Sequence, residues 1–372
     1  MTTVVYFAVS GMTIAPPPSF TVPCFDFITP TPEAMEQNPT KLLQGLQNLG
    51  ERQLLTLKVP ESLGGQGLGR SDYFAFQRAL TCHSGTLAFT QTQHQTAAVF
   101  IANGENDALK AEYLSAMTSG KQLVGVGYSH LRRPGLPSLT AIPSDRGYHL
   151  NGTIPWITGW GIFQTAVIAA TLPDGYTVWG LLPLQNTAQV QFSDPLPLAA
   201  MSATQTVTAT LQAYELQRDR VLGIQPPGWI NHKDLTGVLN ASAFSLGAAQ
   251  AALAIVQAAS DRYPDLAPAA QDLSHQFKDV QQAIDTALDI PDLAFERQVE
   301  LRGAAIALAG RCAQAAITVS RGGANQLSHA AGRIYREVLV FTVSGQTPAV
   351  LGATLTQIAQ SHNPATAMGY RG

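Results

Sequence analysis

The chain reads as an α+β protein: an N-terminal helical domain, a middle antiparallel β domain and a C-terminal four-helix-type bundle. Three observations predict this order. Apolar residues recur at helical spacing between residues 32 and 120, short β-branched and aromatic runs replace them from 121 to 222, and helical spacing returns from 223 to 372.

The bulk properties fit a folded, multi-part protein. A chain of 372 residues exceeds what one core usually supports, so two or three packed regions are expected. With 45% hydrophobic and 13% charged residues it has ample material for a core and for surface buried between subunits, which predicts a homodimer or homotetramer. Lys plus Arg number 22 against 25 Asp plus Glu, a balance with no general attraction for nucleic acid or an anionic membrane. Cys24, Cys82 and Cys312 are scattered without a CxxC pair, which argues against a disulfide framework or a zinc site and fits a reducing cytoplasm. Residues 1–31 read as a flexible tail. Their short apolar stretch, Val4 to Ala8, has no basic flank and is interrupted by Pro16, Pro17 and Pro18.

In the first domain Leu42, Leu43, Leu46 and Leu49 make one helical face, and Leu109, Tyr113 and Met117 another. Between them, Lys58-Val-Pro-Glu-Ser-Leu-Gly-Gly-Gln-Gly-Leu68 is dense in Gly and Pro and predicts a loop. In the second domain the strand candidates include Val167 to Ala169, Tyr176 to Trp179 and Val207 to Leu211, with a turn at Pro173-Asp174-Gly175. After Gln225-Pro-Pro-Gly228, stripes such as Phe244, Ala248, Ala251 and Ile255, or Ile334, Val338 and Phe341, predict long helices that small alanines let approach closely.

Several motifs, in this same order, resemble the acyl-CoA dehydrogenase superfamily. Val59-Pro-Glu-Ser-Leu-Gly-Gly-Gln-Gly-Leu68 is similar to an early VPxxxGGxGL loop, and Gly104 through Gly120 to a GxxxxKxxYLxxxxxG helix. Tyr148-His-Leu-Asn-Gly-Thr-Ile-Pro-Trp-Ile-Thr158 resembles the LNGxKxWIT strand pair, whose Trp-Ile-Thr lies against a flavin ring. The resemblance implies FAD, with FMN as the alternative, and makes Trp156, Ile157 and Thr158 cofactor residues. An indole face excludes water from the ring, and the Thr hydroxyl stabilises its charge. Pro155 replaces the usual lysine and forbids one ladder hydrogen bond, which predicts an edge or a bulge there. Ser129 stands where the family has a flavin-contacting threonine. By the same resemblance Arg262 and the Gly322-Gly323 pair approach the pyrophosphate and adenosine of FAD, the arginine across a subunit interface. Arg132 and Arg133 are candidates to grip a phosphate of the cofactor or substrate.

Dehydrogenation of an acyl thioester needs a carboxylate to take the α-proton as hydride leaves the β-carbon. In most of the family that glutamate follows an Arg-Asp pair, matched here by Arg336-Glu337; counting nine residues on from Arg336 gives Gly345, and no Asp or Glu follows Glu337. The alternative family position falls near Gly237. Asp234 is the one acid between Arg220 and Ser260, three residues before it on the same helical face, so it is the candidate base. A second class, resembling dibenzothiophene monooxygenase and amine N-hydroxylases, uses reduced flavin and oxygen and has no need of the glutamate. His94, expected in an open cleft because of its polar neighbours, and His130 are then the proton-handling candidates. A scaffold that has lost catalysis is the third reading. HExxH, GxSxG, Walker and strand-linked GxGxxG motifs are missing, which leaves hydrolase and nucleotide-switch classes little support.

Overall fold

The structure, a computed structural model, describes residues 20–360. The expected flexible tail therefore lies largely outside the described residues. Its last part, 20–31, is not a tail: Phe25 and Ile28 are each 6% exposed, and Phe20 and Phe25 meet the ring of Phe76 at 6.3 and 5.9 Å. Burying aromatic surface of this size outweighs the disorder that the upstream prolines imply.

The N-terminal region holds α1 (Pro32–Gln37), α2 (Pro39–Glu51), α3 (Arg70–His83), α4 (Gly85–Asn103) and α5 (Asp107–Thr118). Asn38 caps α2 by accepting from the N–H groups of Thr40 and Lys41, with Pro39 in the first turn. Leu42, Leu46 and Leu49 are fully buried, as their spacing predicts. In the glycine-rich loop, Gly64 and Gly67 have φ of 83° and 60°, and a Cβ on Gly65 would fall 2.1 Å from the carbonyl oxygen of Val59. Only glycine allows the chain to fold back this tightly.

The middle sheet contains β1 (Val124–Gly127), β2 (Leu139–Ser144), β3 (Gly147–Ile157), β4 (Thr165–Thr171), β5 (Thr177–Pro183), β6 (Val190–Phe192), β7 (Val207–Gln217) and β8 (Val221–Gln225). Strand order is β6-β7-β3-β2-β4-β5-β8, with β1 on β4. It is largely antiparallel, but β4 runs parallel to both β1 and β2. Those parallel pairs join segments separated by the β2–β3 hairpin, a non-local pairing that run spacing does not reveal. Pro155 lies beyond the β2 partners of β3 and inside a register shift between Ile154 and Ile157 opposite β7. Its missing N–H is thus placed where no ladder needs it.

The chain then forms α6 (Trp229–Thr236), α7 (Ser242–Arg262), α8 (Ala267–Leu288), α9 (Phe295–Ser320), α10 (Ala330–Val343) and α11 (Pro348–Gln360). Ala248, Ala249 and Ala252 of α7 and Ala305, Ala309 and Ala313 of α9 are all buried in one core that also takes Ile334, Val338 and Phe341 of α10. The small side chains let α7 and α9 pack closely at the centre of the bundle.

Candidate active site

A cleft of about 890 Å³ opens between the sheet and the bundle, within the range of a cofactor or substrate pocket. The sheet contributes Val126, Trp156, Thr158 and Thr206, α4 contributes Phe89 and Thr92, and α7 and α10 contribute Phe244 and Phe341. The last two rings stack with centroids 5.1 Å apart. Trp156 is 42% exposed, because the bulge at Pro155 turns its indole away from the sheet core and toward the cleft. Ile157 alternates to the other side and is fully buried in the β core.

Thr158 heads a chain of hydroxyls along the cleft wall. Its Oγ1 lies 3.3 Å from that of Thr206, which lies 3.2 Å from that of Thr204, and Thr204 donates to the carbonyl of Met201 at 2.8 Å. Each hydroxyl has one proton, so the last bond fixes the direction: Thr206 donates to Thr204, and Thr158 to Thr206. Thr158 therefore turns lone pairs to the cleft and acts there as an acceptor, which corrects the expectation of a charge-stabilising donor. Thr204 and Thr206 were missed because they lie some fifty residues downstream of Thr158 and meet it only through the β3–β7 pairing.

The remaining residues singled out from the sequence divide sharply. Ser129 and Arg133 line the cleft beside Thr158. Arg132 also lines it, but is spent on Asp234: its Nε and Nη2 donate to the two carboxylate oxygens at 2.6 and 2.9 Å. That bidentate pair corrects the reading of Arg132 as a free phosphate grip. Asp234 borders a second cavity, described below, and is not among the residues lining the main cleft. Gly237 and Gly345, the two positions expected for the base, both line the cleft, and its described lining contains no Asp or Glu. Residues 1–19 and 361–372 contain no acid either. Ile157, buried on the far side of its strand, cannot touch a ring in the cleft.

His94 and His130 are corrected as well. His94 is fully buried, accepting from the N–H of Val124 on Nδ1 at 3.0 Å and donating from Nε2 to the carbonyl of Met117 at 3.2 Å. It ties α4 to α5 and β1 and has no open cleft around it. His130 is 5% exposed and donates from Nε2 to the carbonyl of Ala169 at 3.0 Å. The polar residues flanking His94 misled because they serve other internal contacts, as where Gln95 accepts from the N–H of Leu57 and donates to the carbonyl of Leu54. Burial brings the His94 imidazole down to about 4. The unfolded chain then binds a proton near pH 6.5 that the folded chain refuses, so stability is full above that pH and falls as pH drops toward 4. The loss should reach roughly 3 kcal/mol for this group, with His83 and His130, also lowered by burial, adding in the same direction. Urea unfolding at pH 7 and pH 4.5 measures it; a pH dependence unchanged by His94→Gln would refute the assignment.

Arg262 ends α7 and is exposed, while Gly322 and Gly323 sit in the turn after α9. Neither group lines the cleft. The structure does bring them near each other, since the Arg321 guanidinium lies 5.4 Å from the ring centroid of Tyr263.

Comparison with known proteins agrees with this architecture. Residues 26–121 match the family described as acyl-CoA dehydrogenase, N-terminal domain. The very long-chain specific acyl-CoA dehydrogenase, mitochondrial, of Macaca fascicularis is 25% identical over 237 residues, which is 59% of this chain and 35% of that protein. The chain thus matches about a third of that relative's length. Among solved structures, butyryl-CoA dehydrogenase from Megasphaera elsdenii superposes with a TM-score of 0.70 at 17% identity, covering 86% of this chain and 89% of that one. FkbI, for biosynthesis of the methoxymalonyl extender unit of a polyketide immunosuppressant, gives 0.71 at 18% identity, covering 90% and 94%. Residues 26–121 are similar to an acyl-CoA dehydrogenase N-terminal domain, and the described chain has the acyl-CoA dehydrogenase fold; the resemblance read from the motifs is borne out.

Proposed function

We propose that the chain is a flavin-dependent oxidoreductase that acts on an acyl thioester in the cleft between sheet and bundle. The observation that carries this is the cleft itself, which gathers Trp156, Thr158 and Ser129 on one wall and both base positions of the family on the other. The residues fit a flavin, with FAD the cofactor usual for this fold: a half-exposed indole for the ring, an acceptor hydroxyl on Thr158 for a ring N–H, and Arg133, in no ion pair among the described residues, for a phosphate. When bound, the flavin accepts the hydride that leaves the substrate. Phe244 and Phe341 keep water from that face, and a carboxylate oxygen of Asp234, the one acid on the walls of the two connected cavities, takes the α-proton.

Purified protein should bind FAD or FMN, and its visible absorbance should bleach on anaerobic mixing with one of a panel of acyl-CoA thioesters; failure to bind either flavin refutes the proposal. Trp156→Ala should raise the flavin Kd by about 5- to 150-fold, equivalent to roughly 1 to 3 kcal/mol of lost ring contact.

Glycine at both base positions favours a second reading, a reduced-flavin monooxygenase of the same fold. Oxygen consumption with a hydroxylated product, without bleaching by any thioester, would select it. Flavin binding with neither reaction would leave a scaffold that has lost catalysis.

The proposal includes a second copy of the chain. Tyr335, Leu339 and Val343 form an apolar stripe on α10, 48 to 64% exposed, and Leu351, Leu355 and Ile358 another on α11, 46 to 58% exposed. A homodimer or dimer of dimers covers such stripes and allows Arg262, Gly322 and Gly323 to serve the cleft of a neighbouring subunit. Light scattering should give a dimer or tetramer mass, and Leu351→Glu combined with Leu355→Glu should reduce it; a single-chain mass for the unmodified protein counts against assembly.

A further inference from the structure

Beside the main cleft lies a second cavity of about 290 Å³ whose charge the chain leaves unbalanced. The two share Tyr73, Thr92, Thr96, Tyr128, Arg132 and Gly345 in their walls, so they are continuous. The wall of the smaller one carries Lys58, Lys233, Arg132 and Arg302 against a single acid, Asp234. Both carboxylate oxygens of Asp234 bond Arg132, so its charge reaches Lys233 and Arg302 only through space, and one acid cannot balance four cations. Among the described residues, Lys58, Lys233 and Arg302 make no ion pair.

Arg302 is the telling member. It is 5% exposed and donates to the carbonyls of Val238 and Ser344 at 3.1 and 2.8 Å, yet its Nε is buried without a partner. A buried cation hydrogen-bonded only to carbonyl oxygens is costly, and burial, partly offset by the Asp234 charge, brings this guanidinium down to about 10. Nor is the neighbouring charge quenched. The Lys233 ammonium lies 3.9 Å from the ring centroid of Phe100 and 4.9 Å from that of Trp229, and Lys58 lies 5.2 Å from the ring of Tyr73. Aromatic faces hold a cation in place without neutralising it.

We propose that this cavity receives a carboxylate at the end of the substrate remote from the thioester, held by Lys58, Lys233 and Arg302. The substrate class is then an acyl chain with an acidic terminus, a half-thioester of a dicarboxylic acid, and a plain alkyl chain is disfavoured. The inference rests on the reading of the main cleft as an acyl-thioester site. A chain that passes Gly237 and Gly345 from the cleft enters a space where a methyl end meets three cations that have no ion pair among the described residues, and a carboxylate end meets their donors.

Calorimetric titration of the full chain with glutaryl-CoA and pentanoyl-CoA, thioesters of equal carbon number ending in a carboxylate and a methyl, tests this. The glutaryl thioester should bind about tenfold or more tightly, the worth of a hydrogen bond to a charged group. Lys233→Met and Lys58→Met, which remove no backbone contact, should each shrink that preference several-fold. Equal affinities in the unmodified protein, or a preference that survives both substitutions, overturn the proposal; so does competition by inorganic phosphate where free glutarate fails to compete. If pentanoyl-CoA binds and bleaches the flavin as well as glutaryl-CoA does, the carboxylate pocket falls and the thioester reading stands. If no thioester binds but free glutarate does, in a Lys233-dependent way, the thioester reading falls and the carboxylate pocket stands.

Discussion

Glu337→Gln is expected to cost the fold about 3 to 5 kcal/mol, the usual penalty for breaking a buried ion pair from one side. Glu337 is 1% exposed; one carboxylate oxygen accepts from the backbone N–H and hydroxyl of Thr86 at 2.9 and 3.0 Å, and the other from Arg333 at 2.6 Å. It therefore closes the N-terminus of α4, where a negative charge is favoured by the helix dipole, and ties that end to α10. Arg333, 4% exposed, also bonds Glu33 at 3.0 Å, so the loss of Glu337 strands a cation in the core with one partial partner. Urea unfolding followed by far-UV circular dichroism measures the cost. A loss below about 1 kcal/mol would show that this pair does not hold the helices together, since exposed pairs fall in that range. The motif match at Arg336-Glu337 is accordingly structural: Arg336 pairs with Glu36 of α1, and neither side chain reaches the cleft.

Asp234→Asn is expected to slow anaerobic flavin reduction by an acyl thioester about 10² to 10⁴ fold, the usual worth of a positioned base. Stopped-flow absorbance of the flavin-loaded protein reads it. Asp234 is the one acid on the described walls of the two connected cavities, and Arg132 holds it in place through two hydrogen bonds. Reduction at an unchanged rate in Asp234→Asn removes Asp234 from the reaction, and with it the dehydrogenase mechanism in the form proposed.

Much of the architecture was legible in the sequence because local patterns encode it. Leucine spacing in α2, the Pro-Gly punctuation of the 58–68 loop and the alanine stripes of α7 each state a local preference that the packed structure keeps. The bulge at Pro155 was equally readable, since a residue without an N–H can sit in only a few places along a sheet.

The site was legible only in part, for reasons that are tertiary. The motif containing Trp156 and Thr158 located one wall, but strand alternation, which buries Ile157 while Trp156 and Thr158 face the cleft, and the hydroxyl relay through Thr206 depend on the bulge and on the β3–β7 pairing. His94 looked like a cleft residue because its neighbours are polar, whereas burial depends on what packs on a helix from elsewhere, here α5 and β1. Arg302 did carry a local signal: it shares one face of α9 with the buried Val299 and Ile306, and a charge on an apolar stripe must have a purpose. What the sequence by itself determined is the order of helical and β regions, the Trp156 and Thr158 wall of the cleft and the absence of an acid at both expected base positions, because these are properties of residue type and spacing. What only the tertiary structure decided is which charges meet: Arg132 with Asp234, Arg333 with Glu337, and three cations left facing one cavity, because pairing depends on distances across the fold that spacing along the chain does not contain.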